Sequence, residues 1–339
     1  DAPMAALEEA FGDVIQRQIT DDASFERWKA SAARREIVAF VARLNESCVN
    51  KPNLTIDAAP PTVRKLMDAL RQIAKGCDQY LPKPGEARRY GSPMFRDWHA
   101  WLVSSTPELV STLGSDNAEL AARLAASFGD RTRIDYGTGH ECAFIVFLLG
   151  CCKLQLLSEG DVDSGAVVCG AFAEYIRTCR VVQRCFGLEP AGSKGVWALD
   201  DYQLLPFLFG CSQLADESKG FGDEDTGLLT VNASSLSQRS MFYECLAFVD
   251  ESTGTTPLDV AAPILFNLTM QPWRTNARRL LRLFDEEVLG QKPVVQHMLF
   301  GELLRADWEN AAGPSEESER LMRMKAVMDA ANRKLGIGS

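Results

Sequence analysis

With three histidines and no Cys-x-x-Cys pair in 339 residues, the chain offers little for a zinc ribbon or a thioredoxin-like redox site. It has no Walker lysine: no Gly-Lys-Ser/Thr follows the Gly-Thr-Gly of residues 137–139. That stretch also lacks the third glycine of the dinucleotide fingerprint, and no clear strand precedes it. Basic excess is absent. The net charge is −10, which argues against a general nucleic-acid binder, and Arg88-Arg89 and Arg278-Arg279 are too local to reverse it. The longest apolar run, Cys142 to Leu157, is short for a membrane span and is interrupted by Lys153 and Gln155. Sustained period-two alternation is missing, which excludes an extended sheet, and no repeat of solenoid length is found.

What is present is helical. The hydrophobic share of 46% allows a sizeable core. The ten cysteines form no framework; Cys142, Cys152, Cys169 and Cys245 lie in apolar helical runs, where they read as small core residues in a reducing compartment. The chain is therefore expected to be soluble and intracellular: cytoplasmic, with a nuclear pool allowed. A short helix is expected over Ala5 to Gln18, weakened by Gly12. Ser24 is placed to cap a run holding Phe25, Trp28, Ile37, Phe40, Val41 and Leu44. Thr62 is placed to cap an amphipathic helix with Val63, Leu66, Met67, Leu70 and Ile73 on one face. An aromatic helix follows (Phe95, Trp98, Trp101), then short helices over Pro107 to Leu113 and Asn117 to Phe128. Ser164 to Phe186 reads as a long helix ended by Gly187. Further helices are expected at about 235–249, 258–268 and 274–289, a short extended piece at Pro293 to His297, and a charged helix at Glu316 to Lys334. The polar stretch Lys219 to Leu229 is the expected flexible segment. The fold class is all-α, with helices packed irregularly.

Two glycine-rich stretches carry the chemistry. The first, Arg133-Ile-Asp-Tyr-Gly-Thr-Gly-His-Glu141, runs straight into the apolar segment Ala143 to Leu157, so it reads as a tight loop feeding a helix N-terminus. Glycine reaches positive φ without steric cost, which suits an abrupt turn there. Unpaired N–H groups and the positive end of the helix dipole make such a place ready for an anion. Arg133 adds a planar fork suited to phosphate or carboxylate, and Asp135 is placed to orient it. A plain turn is the competing reading. The second stretch is Glu189-Pro-Ala-Gly-Ser-Lys-Gly-Val-Trp197, followed by Leu199-Asp-Asp-Tyr-Gln203. On its own, Asp200-Asp201 reads first as a helix N-cap pair.

Taken together, these strings resemble the phosphotyrosyl phosphatase activator family, whose members are also called protein phosphatase 2A activators. Arg89-Tyr-Gly-Ser92 with Trp98, Leu205-Pro-Phe207 with Gly210-Cys-Ser-Gln-Leu214, and Pro293-Val-Val-Gln-His297 with Phe300-Gly301 support the resemblance, which spans Phe25 to Leu304. Residues 1–22 then read as an N-terminal extension, 23–304 as the family's domain, and 305–339 as a partly helical C-terminal extension. The resemblance implies core, lid and linker lobes around a deep groove. It implies peptidyl-prolyl cis-trans isomerase activity and ATP- and magnesium-dependent activation of the protein phosphatase 2A catalytic subunit. Nucleotide contacts carry over to Arg133, Thr138, Gly139, Pro293, Val294, Val295, Gln296 and His297, and metal contacts to Gly195 and Asp201. Tyr202 and Phe209 stand where relatives often have phenylalanine and tryptophan.

Magnesium keeps several waters, so Asp201 and one backbone carbonyl suffice beside phosphates. Prolyl isomerisation needs no nucleophile. Its barrier of about 18–20 kcal/mol falls when a groove binds the twisted amide better than either planar form. A groove near Tyr136, Gly139, Trp197 and Asp201 is the expected seat of a proline-containing peptide, with Trp197 its aromatic platform. Trp98 and Trp101 are assigned to the core, His99 to structure and His297 to the nucleotide, while His140 reads either as a contact to phosphate or to a twisting peptide bond or as a structural helix-start residue. Glu141 is assigned to capping its own helix. The alternative is a non-enzymatic, chaperone-like phosphatase partner that uses nucleotide as a shared interface ligand. No nucleic-acid or membrane partner is expected.

Overall fold

The computed structural model describes residues 5–83, 91–192, 199–215, 237–253, 257–306 and 308. The fold is all-α. Its first half holds α1 (Ala5–Phe11), α2 (Asp22–Lys29), α3 (Ala32–Ser47), α4 (Pro61–Gly76), α5 (Met94–Thr112), α6 (Ala118–Ala125) and α7 (Thr138–Lys153). Then follow α8 (Glu159–Asp163), α9 (Ala173–Phe186) with a π-helical lead-in over Val167–Phe172, α10 (Leu205–Gln213) and α11 (Met241–Thr253). The last are α12 (Leu258–Ala261), α13 (Pro263–Thr269), α14 (Trp273–Leu283) and α15 (Lys292–Val295). Among the described residues, no helix is long and apolar enough to cross a membrane.

Among the described residues, strand is confined to two short pairs. β1 (Gln16–Arg17) runs antiparallel to β4 (Leu299–Phe300), and β2 (Asp135–Tyr136) runs parallel to β3 (Glu189–Pro190). Residues 16–17 are thus extended rather than part of the first helix, which stops at Phe11, just before Gly12. The N-terminal segment is packed down: Leu7, Phe11, Ile15 and Ile19 are buried.

Several helix ends differ from the sequence reading. The run expected from Ser24 to Leu44 is two helices. Asp21 caps the first, accepting the Ser24 N–H at 2.7 Å, while Ser31 caps the second, accepting the Arg34 N–H at 3.1 Å. A strong N-cap inside a helical pattern is a competing start signal, and here it wins. α4 begins at Pro61, which needs no N–H at the first helical position, and the Thr62 hydroxyl donates to Asp161 at 3.0 Å instead of capping. Pro107 lies inside α5 rather than opening a new helix. The carbonyl of Val103, which loses its usual N–H partner to the proline ring, accepts the Thr106 hydroxyl at 3.1 Å. Residues 292–295 are helical, where an extended piece was expected, with Pro293 in the first turn.

The apolar α7 is buried almost all round, as a helix without a polar face must be. Phe144 stacks on Tyr175 of α9, with ring centroids 3.8 Å apart. A second aromatic cluster joins Phe95 and Trp98 of α5 to Phe128 and Phe186. His99 is buried beside it, and burial pulls its pKa down to about 4, so it is a neutral core residue. Gly187 ends α9 in the left-handed conformation, φ 61°. All ten cysteines are free thiols.

Candidate functional site

The first glycine-rich stretch begins with an unforeseen device. Asp130 accepts the N–H groups of Thr132 and Arg133 on one carboxylate oxygen, at 2.9 and 2.8 Å, folding the chain into an Asx turn. The Asp130 N–H donates to the Asp135 carbonyl at 2.9 Å, which closes the loop. Gly129-Asp130 was the signal that could have revealed it. The positive φ within the nonapeptide belongs to Ile134, at 55°; Gly137 is extended, at −170°, and Gly139 is not left-handed either. The glycines therefore do not serve the turn by positive φ. Gly137 gives room, since a Cβ there would lie 2.9 Å from the Ala191 Cβ.

Arg133 donates from Nε to Asp135 Oδ2 at 2.7 Å and lies 3.6 Å from Asp130 Oδ2. Its side chain stays a third exposed, so its outer edge remains available to a ligand. Burial pushes the Asp135 carboxyl up from its ordinary value, with Arg133 and His297 opposing. Asp130 Oδ2 and Asp135 Oδ1 make no hydrogen bond.

At the start of α7, His140 Nδ1 accepts the Gly137 N–H at 3.2 Å, and the imidazole stacks on Tyr136 with centroids 5.6 Å apart. Burial lowers the His140 pKa to about 4, which keeps the ring neutral and the nitrogen an acceptor. Thr138 and Gly139 supply the first amides of the helix, which have no acceptor within it. α15 lies across this end: a Cβ on Gly139 would meet Val294 at 3.5 Å. Val295 is buried, Pro293 is exposed, and Gln296 donates to the Pro293 carbonyl at 3.3 Å. His297 is held below its ordinary pKa by burial and by the positive charge of Arg133, and its Nδ1 makes no hydrogen bond.

The two glycine-rich stretches lie side by side. β2 pairs with β3, and the Ala191 N–H donates to the Tyr136 carbonyl at 2.8 Å. Beyond Gly192, residues 193–198, with Gly195 and Trp197 among them, lie outside the described residues, as do Arg88, Arg89, Lys219 to Leu229 and the helix expected at Glu316 to Lys334. The chain re-enters at Leu199. Asp200 is buried against Arg180 and accepts the N–H groups of Tyr202 and Gln203 at 2.6 and 3.1 Å. Its neighbour Asp201 is exposed. Thus Asp200 forms the turn, and Asp201 is free to meet a ligand.

Tyr136 is 1% exposed, and its hydroxyl meets that of Tyr175 at 2.8 Å, so its side chain serves the interior. The Tyr202 hydroxyl donates to the Leu188 carbonyl at 2.7 Å. Glu141 does not cap its own helix. One of its oxygens accepts the N–H groups of Leu204 and Leu205, both at 3.1 Å, and so caps α10. Complete burial pushes its pKa up to about 8 even so. The Glu141 carboxyl couples the start of α7 to the Asp200 turn.

No group of three or more His, Cys, Asp or Glu capable of holding a metal is found among the described residues. Magnesium at Asp201 would therefore take most of its ligands from water and phosphate, in keeping with that ion's habits. For a nucleotide the fit is better supported. Arg133 and the Thr138 and Gly139 amides are donors suited to an anion, whereas His297 Nδ1 and one oxygen each of Asp130 and Asp135 are buried without a hydrogen bond.

A family profile described as phosphotyrosyl phosphate activator (PTPA) protein matches residues 15–306. A Yarrowia lipolytica protein named serine/threonine-protein phosphatase 2A activator 2 is 34% identical over 310 residues, covering 89% of this chain and 86% of its own length. The Drosophila melanogaster serine/threonine-protein phosphatase 2A activator is 32% identical over 288 residues, covering 82% and 70%. The solved structure of the PP2A phosphatase activator Ypa1 PTPA1 matches with a TM-score of 0.74 at 25% identity, covering 86% of this chain and 95% of that one.

Proposed function

The chain belongs to the PTPA family, and from that premise we propose that it activates protein phosphatase 2A by engaging its catalytic subunit, with ATP and magnesium at the contact, and that it is a peptidyl-prolyl cis-trans isomerase. The observation that supports this best is the meeting of three segments distant in sequence: β2 pairs with β3, and α15 lies against Gly139. Val294 then lies against Gly139, and His297 lies within the electrostatic reach of Arg133. Arg133 and the helix amides would bind phosphate oxygens, His297 would donate to the nucleotide, and Asp201 with the Gly195 carbonyl would hold magnesium. Bound nucleotide and metal would supply charge that a partner's surface can share.

For isomerisation, the peptide would lie along the Gly139 and Asp201 side, with Trp197 as platform, and rate would come from tighter binding of the twisted amide. The test is a prolyl-isomerase assay on the isolated protein beside an activation assay with purified catalytic subunit, with and without ATP and magnesium. Trp197→Ala is expected to abolish isomerase turnover with helical circular dichroism intact; unchanged turnover removes Trp197 from the site.

A second reading makes the protein a non-enzymatic, chaperone-like partner of the phosphatase, with nucleotide shared across the interface. It is favoured by the Tyr136 hydroxyl, which is committed to Tyr175 in the interior and so is no donor to a peptide. Activation by a variant that has lost all isomerase turnover selects this reading.

A further inference from the structure

α13 and α14 form a face that the site above does not use. Between them lies a groove of about 270 Å³, lined by Leu199, Ile264, Leu268, Leu280 and Leu283, with Arg279 at its rim. Large apolar side chains are exposed beside it: Val260, Ile264 and Met270 are 68%, 36% and 45% accessible. An apolar patch with a polar border marks an interaction surface, because each Å² left in water costs about 25 cal/mol.

One basic residue, Arg279, lines the groove, and further arginines follow on the solvent side of α14. Arg274, Arg278 and Arg282 follow one another at four-residue spacing, which puts them in one row along α14. Arg279 stands between that row and Leu283. Arg278 and Arg279 are exposed, and among the described residues neither has an ion-pair partner. Arg282 has only a 3.8 Å contact to Glu286, with both side chains about half exposed. On a chain of net charge −10, this row is a local reversal of sign.

We propose that this face docks an acidic amphipathic segment of the phosphatase catalytic subunit, an inference that rests on the partnership proposed above. An apolar stripe would fill the groove, and Asp or Glu side chains on its solvent-facing flank would meet Arg279 at the rim, with the neighbouring arginines of α14 adding to the local field. A second copy of the chain fits poorly, since a two-fold contact would set arginine row against arginine row. Nucleic acid would match the arginines and leave the groove unfilled. Leu199 lines the groove and immediately precedes Asp200, so a segment seated here would hold the phosphatase next to Asp201.

The test measures binding of the full chain to purified catalytic subunit at low and at high salt. Variants are Arg278→Glu with Arg279→Glu, and separately Ile264→Asp. All are at exposed positions, and thermal unfolding checks that each stays folded. The double reversal is expected to weaken binding at least ~10-fold, mainly by slowing association, and to flatten the salt dependence. Ile264→Asp is expected to weaken it mainly by faster dissociation. Wild-type affinity in the folded double variant overturns the groove assignment and leaves the partnership standing. No binding by the wild type overturns both. Self-association of the wild type in sedimentation that the double variant loses assigns the face to a second copy and overturns the proposal.

Discussion

Arg123 and Arg180 are both buried, each against a carboxylate: Glu119 in one case, Asp200 in the other. Around Arg123 each side-chain nitrogen has a hydrogen-bond partner. Its Nε donates to Glu119 at 3.0 Å and its Nη1 to the Leu299 carbonyl at 3.0 Å, while the other Glu119 oxygen accepts the Leu303 N–H at 2.9 Å. That pair is a strut tying α6 to the β4 segment. Around Arg180, Nη1 donates to Gln183 at 3.0 Å and Nη2 to Asp200 and to Cys245 Sγ at 3.6 Å, and the guanidinium lies 3.8 Å from the Phe248 ring. Arg180 Nε and Gln183 Nε2 make no hydrogen bond. Asp200 spends its second oxygen on the turn that presents Asp201. The same chemical pair is a fastening in one place and, in the other, the support of a candidate site.

Removing one partner of a buried pair strands the other charge, at a cost of about 3–5 kcal/mol. Glu119→Ala and Asp200→Ala are both expected to lose stability on that scale in urea denaturation. The two should part in function. Folded Glu119→Ala protein, assayed cold, is expected to keep phosphatase activation, and Asp200→Ala to lose it with the turn. Equal activation by both variants breaks the distinction between strut and support.

Glu141 sharpens the comparison through pH. Its folded pKa, about 8, lies above the ordinary 4.5 because of burial, so the native state holds a proton that the unfolded chain releases. That stabilisation is full below about pH 4.5 and is lost as pH rises through about 8. Stability should therefore fall by a few kcal/mol across that interval, as an order of magnitude. Glu141→Gln keeps an acceptor for Leu204 and Leu205 and removes the titration. Denaturant midpoints measured across the interval should flatten in that variant; an unchanged slope assigns the pH dependence elsewhere.

Why some of this was legible and some not is a matter of sequence distance. The burial of α7, the face of α4 and the stop at Gly187 are local patterns, and they stood in the sequence. Ser31 and Pro107 are local too, but each is ambiguous until tertiary packing decides whether a helix breaks or continues. The pairing of residues 135–136 with 189–190, and the capping of α10 by Glu141, join points more than fifty residues apart through backbone groups. Backbone carries no side-chain signature for a partner that far away. The types of the site residues were readable; that Asp200 would be spent on Arg180 while Asp201 stayed exposed was not.

The Arg133–Asp135 pair lies between the two buried cases, with the arginine 34% exposed. Water screens the arginine, but its loss leaves the buried Asp135 carboxylate without its partner, so Arg133→Ala is expected to cost stability, though less than the two fully buried cases. A further effect belongs to the ligand: nucleotide affinity, by calorimetry with ATP and magnesium, should fall roughly 10-fold, or about 1.4 kcal/mol. A large loss of stability with intact nucleotide binding would class Arg133 with Arg123 as a fastening.

The smallest effects separate two glycines within three residues of each other. Gly137 and Gly139 both have φ values open to alanine, so any penalty must come from space. At Gly137 a Cβ would sit 2.9 Å from the Ala191 Cβ, closer than real side chains approach, and the β2–β3 pairing would have to shift. Gly137→Ala should cost about 1 kcal/mol or more. At Gly139 the nearest atom is Val294 Cγ1 at 3.5 Å, an ordinary contact. There alanine should stabilise the fold by about 0.5 kcal/mol, because it restricts the unfolded chain and favours the helix. Nothing among the described residues then requires glycine at 139, whereas a ligand approaching the helix amides would. Gly139→Ala is thus expected to raise the melting temperature slightly and to weaken nucleotide binding, an opposition of signs that a purely structural glycine cannot produce.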